Sequence, residues 1–470
     1  MPSFPRAVKQ ALVGDPDAVF VLLGNFEVED VWGQGEPGLP RMSFSSGNSI
    51  AHRMDEFALL VGCAGDHVVT KSAPDADYLA YLADLGVDLP TVHNPAEQEP
   101  GRTVTRDVLA DPALLERLRA LAAEGAYLAV HGWSELEEEL ARRTGLRPAG
   151  SPAAVCKAVN SKVYSRRLAD RLGLRQPAGF ACATIEEWGQ AVEGATRLLA
   201  AGERVGVKDA YGVSGKGIVV VEDQRRLEQL DRAVRRRAER DGDDRAGLLV
   251  EQWVAKRCDL NYQFTVGRDG GVRFDFVKEA LTVDGVHKGH RMPARISAAQ
   301  EEAVREAARS IGTALAADGY AGVVGVDAMV GADEGLFPLV EINARNNMST
   351  YQVPLQELAV PEGWTALARQ YPLRLTAPLA FKDLRRAMAG LLLERPGQAG
   401  MVVNNFATVN AAASAATGRG YEGRLHGFLA APTPEEADAL DARVIAVLAD
   451  LTGTQAPGTA SGATPEDPAK

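Results

Sequence analysis

The chain has 470 residues, enough for about three domains of ~150 residues each. Its net charge of -12 and its lack of a basic tract argue against nucleic acid as a partner. The N-terminus lacks the apolar core of a signal peptide, and no apolar run approaches the ~20 residues of a membrane span. We therefore expect a cytoplasmic protein without membrane contact. The four scattered cysteines are expected to be free thiols in a reducing compartment.

Short apolar runs alternate with helical patterns over the first 150 residues. Strands are expected at 18–23, 67–70 and 126–130, with helices at 54–62, 74–85 and 134–143. Ser134 followed by Glu137 is a helix-start pattern. This alternation predicts a layered, mainly parallel α/β unit. No G-x-G-x-x-G follows the first strand, so a Rossmann dinucleotide site is not supported. Polar loop residues are expected either to line a ligand crevice or to reflect ordinary loop polarity; these are Asn25, Ser49, His131 and Trp133.

From residue 151 the pattern changes. A helix is expected from Lys162 to Gly173, and then a strand that ends in Lys208. A small-residue loop follows and leads into a second strand at 218–221, which predicts a hairpin with a flexible tip. The tip residues predicted to contact phosphates are Gly212, Ser214, Gly215, Lys216 and Gly217. Such a flap can close over phosphates through backbone N–H groups, although it does not match the P-loop pattern. The alternative is a mobile surface hairpin.

The next strand, 248–254, holds Glu251 inside an apolar run, where a carboxylate must be paired or hydrogen-bonded. The backbone of Gln252, Trp253 and Val254 is predicted to offer adenine its N–H and C=O groups. Asp259 and Asn261 are expected on one face of the following strand. A basic segment comes after them and consists of Lys278, His287, Lys288, His290 and Arg291.

An amphipathic helix at 297–317 precedes a hairpin between Val324 and Tyr351. Asp327 lies on its first strand, and Glu341, Asn343 and Arg345 alternate at the end of its second strand. Because side chains alternate faces along a strand, Asp327 is expected opposite that set. Two carboxylates and an amide oxygen suit Mg²⁺ bound together with nucleotide phosphates. The alternative is a solvated charge cluster at a polar hairpin tip.

The order of these parts between about Ser151 and Tyr351 resembles the ATP-grasp superfamily. The resemblance implies that Lys162 and Lys208 bind ATP phosphates, that Glu251 to Val254 hold adenine, and that Asp259 bonds the ribose. It also implies that Asp327, Glu341 and Asn343 bind Mg²⁺, with Mn²⁺ as an alternative, and that Arg345 lies near the transferred phosphoryl group. The remaining members of the expected nucleotide-binding set are Asn261 and Lys278.

The flanks are also similar to parts of known ligases. The first 150 residues resemble the pre-ATP-grasp domain, and residues 377–451 look like the small C-terminal α+β domain of the pheganomycin-type peptide ligases. The nucleotide-binding region is then 151–376, and a Gly/Pro/Ala/Thr-rich tail at 452–470 is expected to be disordered. One departure concerns an arginine that some of these ligases carry two residues before the first metal aspartate. Gly325 occupies that position, and Arg291 or Lys288 is the expected replacement.

The resemblance implies an α/β protein with an ATP-grasp fold that joins a carboxylate to an amine. ATP would be cleaved to ADP and phosphate through an acyl phosphate, with Arg345, Lys208 and Arg291 as the catalytic set. The expected partners are a small carboxylate donor and an amine or peptide acceptor in secondary metabolism. A homodimer is an open alternative to a monomer. Two other functions stay open: a kinase without an amine acceptor, and a nucleotide-binding protein without catalysis.

Overall fold

The computed structural model describes residues 2–39, 48–212, 217–283, 286–415 and 420–453. Three of the predicted flap residues, Ser214, Gly215 and Lys216, lie outside these ranges, as does the predicted tail from residue 454 onward. The four cysteines are free thiols, as expected. No helix within the described ranges is long and apolar enough to cross a membrane.

The N-terminal region is a five-stranded parallel sheet with helices packed around it, which confirms the predicted layered α/β unit. Its strands are β1 (Phe20–Leu23), β2 (His67–Val69), β3 (Thr91–His93), β4 (Tyr127–Val130) and β5 (Arg147–Pro148). Its helices are α1 (Phe4–Val13), α2 (Val28–Trp32), α3 (Asn48–His52), α4 (Ala76–Asp84), α5 (Val104–Ala110), α6 (Pro112–Ala123) and α7 (Glu135–Thr144), with a 3₁₀ helix at Met54–Val61. The strand order is β3-β2-β1-β4-β5, so the order reverses between β1 and β4.

The start of α7 shows why local sequence predicts this region well. The Ser134 hydroxyl accepts from the helix backbone, and the Glu137 carboxylate accepts from the Ser134 N–H. This reciprocal pair satisfies N–H groups that have no partner within the helix. The predicted helix start is therefore confirmed.

A four-stranded antiparallel sheet forms the next layer, in the order β6-β9-β7-β8. Its elements are α8 (Ala153–Val159), α9 (Lys162–Leu172), β6 (Gly179–Thr184), α10 (Ile185–Ala200), β7 (Val205–Asp209), β8 (Ile218–Val221), α11 (Gln224–Asp241) and β9 (Arg245–Gln252). β7 and β8 pair with Lys208 opposite Ile218, so the two strands of the predicted flap hairpin are confirmed.

An eight-stranded sheet and the helices beside it account for the described elements from residue 256 onward. Its strand order is β14-β13-β10-β11-β12-β15-β17-β16. Its strands are β10 (Lys256–Val266), β11 (Val272–Val283), β12 (Val286–Met292), β13 (Gly322–Gly331), β14 (Leu336–Asn343), β15 (Thr365–Leu375), β16 (Gly400–Asn405) and β17 (Tyr421–Ala431). Its helices are α12 (Ala298–Ala317), α13 (Val353–Ala359), α14 (Phe381–Ala387) and α15 (Pro434–Thr452), with 3₁₀ helices at Thr350–Gln352, Ala407–Asn410 and Ala413–Ala415. The predicted boundary at residue 376 falls between strands of this one sheet.

The apolar stripe of α12 packs as its sequence predicts. Val304, Ala308, Ile311 and Leu315 are buried in an apolar core that α12 shares with β10, β11 and β14. Burial of aliphatic side chains stabilises the fold by about 1.5–3 kcal/mol for each full side chain. The helix thereby holds the β13–β14 hairpin, on which the acidic residues lie, in a fixed position.

Candidate active site

The β13–β14 hairpin brings two carboxylates together. Asp327 pairs directly with Glu341 in the strand register, so both side chains lie on one face of the sheet. On the other side of β13, Asn261 of β10 pairs with Asp327 and donates to its Oδ1 at 2.9 Å. Asn343 Nδ2 donates to Asp327 Oδ2 at 3.3 Å. The expected juxtaposition of Asp327 with Glu341 is thus present, while its role as a metal site stays a prediction.

The electrostatics of this pair fit a divalent cation. Burial, and then the charge of Glu341, raise the pKa of Asp327 to about 6. Two close carboxylates disfavour each other's ionised form, and a bound cation relieves that repulsion. Among the described residues, no group of three or more His, Cys, Asp or Glu side chains could hold a metal ion. The candidate set is therefore the mixed one of two carboxylates and the Asn343 amide.

Lys162 connects the glycine loop with the carboxylate pair. Its Nζ lies 2.6 Å from Glu341 Oε1 and donates to the carbonyl oxygen of Gly212 at 3.1 Å. The lysine is buried at the start of α9, where its backbone N–H donates to the carbonyl oxygen of Ala210, the residue after β7. A cation at this position faces both the flap and the predicted metal ligands. The geometry suits a group that contacts ATP phosphates.

Lys208 and Glu251 form a buried ion pair between β7 and β9. This contact explains how a carboxylate is tolerated in the apolar run 248–254, because a buried charge requires a charged or hydrogen-bonding partner. The sequence predicts these two residues as separate nucleotide contacts. In the structure they are one unit, with Lys208 at the base of the flap.

Two backbone N–H groups of the proposed adenine-binding segment already donate hydrogen bonds within the protein. The N–H of Gln252 donates to Ala178 O at 2.7 Å, and the N–H of Trp253 donates to Arg204 O at 2.8 Å. An adenine would therefore depend on Val254 and on the carbonyl groups of the segment. The adenine role of residues 251–254 stays a prediction.

Asp259, Asn261 and Lys278 lie on neighbouring strands of the eight-stranded sheet. Asp259 Oδ2 accepts from Thr282 Oγ1 at 2.7 Å. Lys278 is fully buried, and its Nζ donates to Ser349 O at 3.1 Å and to Gln352 Oε1 at 3.2 Å. Burial lowers the pKa of Lys278 well below its usual range. Lys278 therefore contributes to holding the 349–352 segment, and its predicted contact with the nucleotide is untested.

Arg291 contacts the C-terminal helix. Its Nη2 lies 2.8 Å from Asp438 Oδ1 of α15. Its Nε is buried without a hydrogen-bond partner among the described residues. The Arg291 side chain is thus largely buried and paired with an exposed carboxylate of α15, and its catalytic role stays a prediction.

Gly325 leaves room for Asn347. A Cβ atom added at Gly325 would lie 2.0 Å from Asn347 Nδ2. Asn347 is itself held, because its Oδ1 accepts from the N–H of Ser349 at 2.9 Å and of Thr350 at 3.2 Å. The position at which some related ligases carry an arginine is therefore occupied here by an asparagine side chain from the segment after β14.

This packing makes a stability prediction. Gly325→Ala is expected to lower the free energy of unfolding by about 1–3 kcal/mol, since the methyl group overpacks a site whose neighbour cannot move freely. Urea denaturation at constant m value measures the change. Gly101→Ala is the matched control, because an added Cβ there meets nothing within 4 Å. Equal stability of the two variants would contradict the close approach of Asn347.

Arg345 reaches a residue that sequence reasoning did not identify. Its Nε lies 2.9 Å from Glu29 Oε1, its Nη2 also contacts that oxygen, and Nη2 donates to Asn343 Oδ1 at 2.9 Å. Glu29 belongs to α2 of the N-terminal region, 316 positions away in sequence. No local pattern links the two residues. The nearest signal in the sequence is the loop after β1, in which Asn25 is a candidate for lining a ligand crevice.

Comparisons with known proteins agree on one family. A sequence model of the pre-ATP-grasp domain matches residues 54–146, and one of the ATP-grasp domain matches residues 168–350. The [butirosin acyl-carrier protein]--L-glutamate ligase of Niallia circulans is 25% identical over 70% of this chain and 72% of its own length. The L-propargylglycine--L-glutamate ligase of Streptantibioticus cattleyicolor is 29% identical over 62% of this chain and 65% of its own length, just under two thirds.

Solved structures show the same fold. The biotin carboxylase domain dimer of the 2-oxoglutarate carboxylase from Hydrogenobacter thermophilus, in complex with MgADP, ADP and bicarbonate, superposes with a TM-score of 0.52. The match covers 85% of this chain and 87% of that one, at 17% sequence identity. At this identity the likeness shows the fold alone. It agrees with the predicted α/β architecture.

Proposed function

We propose that this chain, which matches the pre-ATP-grasp and ATP-grasp domain models, is a carboxylate–amine ligase that joins an amino acid to an amino acid or peptide through an acyl phosphate. ATP is the energy source and is cleaved to ADP and phosphate. Both curated relatives bear names that include L-glutamate, so we propose glutamate as one of the two molecules joined. Assays with a panel of amino acids identify the other substrate.

One observation carries the proposal. The Asp327–Glu341 pair lies between two cations, with Lys162 on Glu341 at 2.6 Å and Arg345 on Asn343 at 2.9 Å. Carboxylates can hold a metal ion, and cationic side chains can contact phosphate oxygens directly. A site with both suits a triphosphate, whose negative charge is neutralised partly by the metal ion and partly by side chains. Mg²⁺, or Mn²⁺ in its place, would be held by Asp327, Glu341 and Asn343. That ion would supply charge neutralisation to the phosphate oxygens.

The chain's own residues perform the positioning. In the first step, an oxygen of the donor carboxylate attacks the γ-phosphorus of ATP and ADP leaves. Lys208 and Arg345 offset the negative charge that develops there. In the second step, the amine nitrogen attacks the acyl carbon and inorganic phosphate leaves. Neither step requires a nucleophilic serine or cysteine, and burial raises the pKa of the Cys156 and Cys182 thiols, which disfavours their reactive form.

The remaining residues are proposed to bind the nucleotide. Asp259 would contact the ribose, residues 251–254 would contact the adenine, and Lys162 would contact the phosphates. Asn261, which donates to Asp327 Oδ1, completes the proposed set. The flap between Gly212 and Gly217 would close over the phosphates and exclude water, which otherwise hydrolyses an acyl phosphate. Lys278 and Arg291 would act indirectly. Lys278 would position residues 349–352, and Arg291 would act through its ion pair with α15.

Phosphate release from ATP and Mg²⁺ tests the proposal. The protein is incubated with a panel of amino acids, singly and in pairs that include L-glutamate, and the products are identified by mass spectrometry. Phosphate that appears only with one pair, together with a product lighter than the summed pair by one water, establishes the ligase. A phosphorylated acid with no requirement for an amine would indicate a kinase. Bound ATP without turnover for any pair would favour a nucleotide-binding protein without catalysis.

A further inference from the structure

The parallel sheet has its reversal of strand order between β1 and β4, and the loops after these two strands meet there. In open α/β sheets, ligands bind in the crevice outside the carboxyl ends of the strands at such a reversal. The loop after β1 continues into α2, and the loop after β4 contains residues 131–133. Asn25 Nδ2 donates to Gly132 O at 2.7 Å and ties the two loops together.

This crevice is joined to the candidate active site. The N–H of Asn346, next to Arg345, donates to His131 O at 3.0 Å. Trp32 Nε1 at the end of α2 donates to Trp133 O at 3.0 Å, which holds α2 over the strand ends. The residues that follow β14 and the loop that follows β4 are therefore hydrogen-bonded to each other and line one surface.

Glu29 is the side chain of α2 that contacts Arg345 at this surface. The side chains of Glu29 and Arg345 are 16% and 12% exposed, so the pair borders open space and is not sealed in the core. The other acidic residues at the start of α2 are placed differently. Glu27 is buried, and desolvation raises its pKa to about 8, so it is mostly neutral near pH 7. Asp30 is exposed to solvent.

We propose that Glu29 binds the ammonium group of the acceptor and takes the proton that this group must lose before it attacks the acyl phosphate. The proposal rests on the ligase function proposed above. It assigns the acceptor to the β1–β4 crevice, with its amino group directed at the Glu29 carboxylate, beside Arg345 and the transferred phosphoryl group.

The chemistry requires such a group. An α-amino group is largely protonated near neutral pH and then has no lone pair for attack. One proton moves from the ammonium to the Glu29 carboxylate. The freed lone pair forms the C–N bond, and the C–O bond to phosphate breaks, with its electron pair leaving on phosphate. The second N–H proton is lost to phosphate or water. Arg345, which is shared between Glu29 and Asn343, keeps the carboxylate beside the leaving phosphate.

Hydroxylamine separates this role from a merely structural one. It is mostly uncharged near neutral pH, so it can trap an acyl phosphate as a hydroxamate without transferring a proton to a base first. The experiment uses the full chain with ATP, Mg²⁺ and an acid from the panel, and compares amide formation with hydroxamate formation for Glu29→Gln. Asp30→Asn on the same helix is the matched control.

Glu29→Gln is expected to lower amide formation by about 10²-fold, the usual contribution of a positioned proton acceptor, while hydroxamate formation stays close to that of the wild type. Asp30→Asn is expected to behave as the wild type in both assays. Equal loss of amide and hydroxamate would mean that Glu29 only positions Arg345, and it would overturn the proposal. Unchanged amide formation would overturn it as well. A wild-type protein that forms neither product with any acid would refute the ligase function itself.

Discussion

Glu341→Gln is expected to lower turnover by about 10²-fold or more while the fold survives. The amide oxygen can still accept the hydrogen bond from Lys162, but the negative charge opposite Asp327 is lost. Removing charge that stabilises a developing phosphoryl transition state typically has an effect of this size. Asn343→Ala is expected to act in the same direction, since it removes the amide between Asp327 and Arg345. Steady-state phosphate release measures both.

Glu334→Gln provides the matched control for the hairpin. Glu334 lies at the tip of the same β13–β14 hairpin and pairs with Arg257 at 2.8 Å on the surface. A surface pair of this kind contributes little, so neither turnover nor stability should change appreciably. Near-wild-type turnover of Glu341→Gln at saturating Mg²⁺ would refute the assignment of Glu341 as a metal ligand. Circular dichroism of each variant distinguishes lost chemistry from lost fold.

Lys208→Met is expected to have two separable effects. It leaves Glu251 buried without its charged partner, and breaking a buried ion pair in this way costs about 3–5 kcal/mol of stability. It also removes a cation from the base of the flap, which should weaken ATP binding and slow phosphoryl transfer. Urea denaturation measures the first effect, and calorimetric titration of ATP measures the second.

The double variant Lys208→Met/Glu251→Gln separates these effects. With the glutamate neutralised, most of the stability should return, because no unpaired buried charge is left. ATP affinity and turnover should stay low. Lys382→Met, at an exposed lysine, serves as the control and should change stability by no more than about 0.5 kcal/mol. Wild-type ATP affinity in Lys208→Met would argue against the flap as the phosphate clamp.

Much of the fold is readable from sequence because it follows local rules. The capping pair at Ser134 and Glu137, the buried stripe of α12 and the two strands flanking the flap are all found where the sequence predicts them. The β13–β14 hairpin belongs to the same class. Side-chain alternation places Asp327 opposite the set that contains Glu341, as the sequence predicts. The pairing of Asp327 with Glu341 itself also depends on a register shift between Asp327 and Met329, which no local pattern indicates.

The candidate site is predictable only where its residues are close in sequence. Glu251 was identifiable as a carboxylate in need of a partner, but its partner, Lys208, is 43 residues away on a different strand. Gly325 was identifiable as a departure, but not Asn347 as the side chain that takes the space. In both cases the residue type shows that a specific neighbour is needed, a charged partner for Glu251 and a close contact at Gly325. Which residue supplies it depends on how distant segments of the chain pack together.

By itself, the sequence determined the alternation of elements, the hairpin with its acidic and amide residues, and the lysines at the start of α9 and before the flap. Together these features indicate the family. These features depend on side-chain periodicity and on hydrogen bonds between residues that are close in sequence, so they can be recognised without knowledge of the tertiary structure. Only the tertiary structure decided that Glu29 meets Arg345, that Arg291 meets Asp438, and that strands on both sides of residue 376 share one sheet. Those contacts join segments far apart in the chain, and their geometry arises from how whole layers pack.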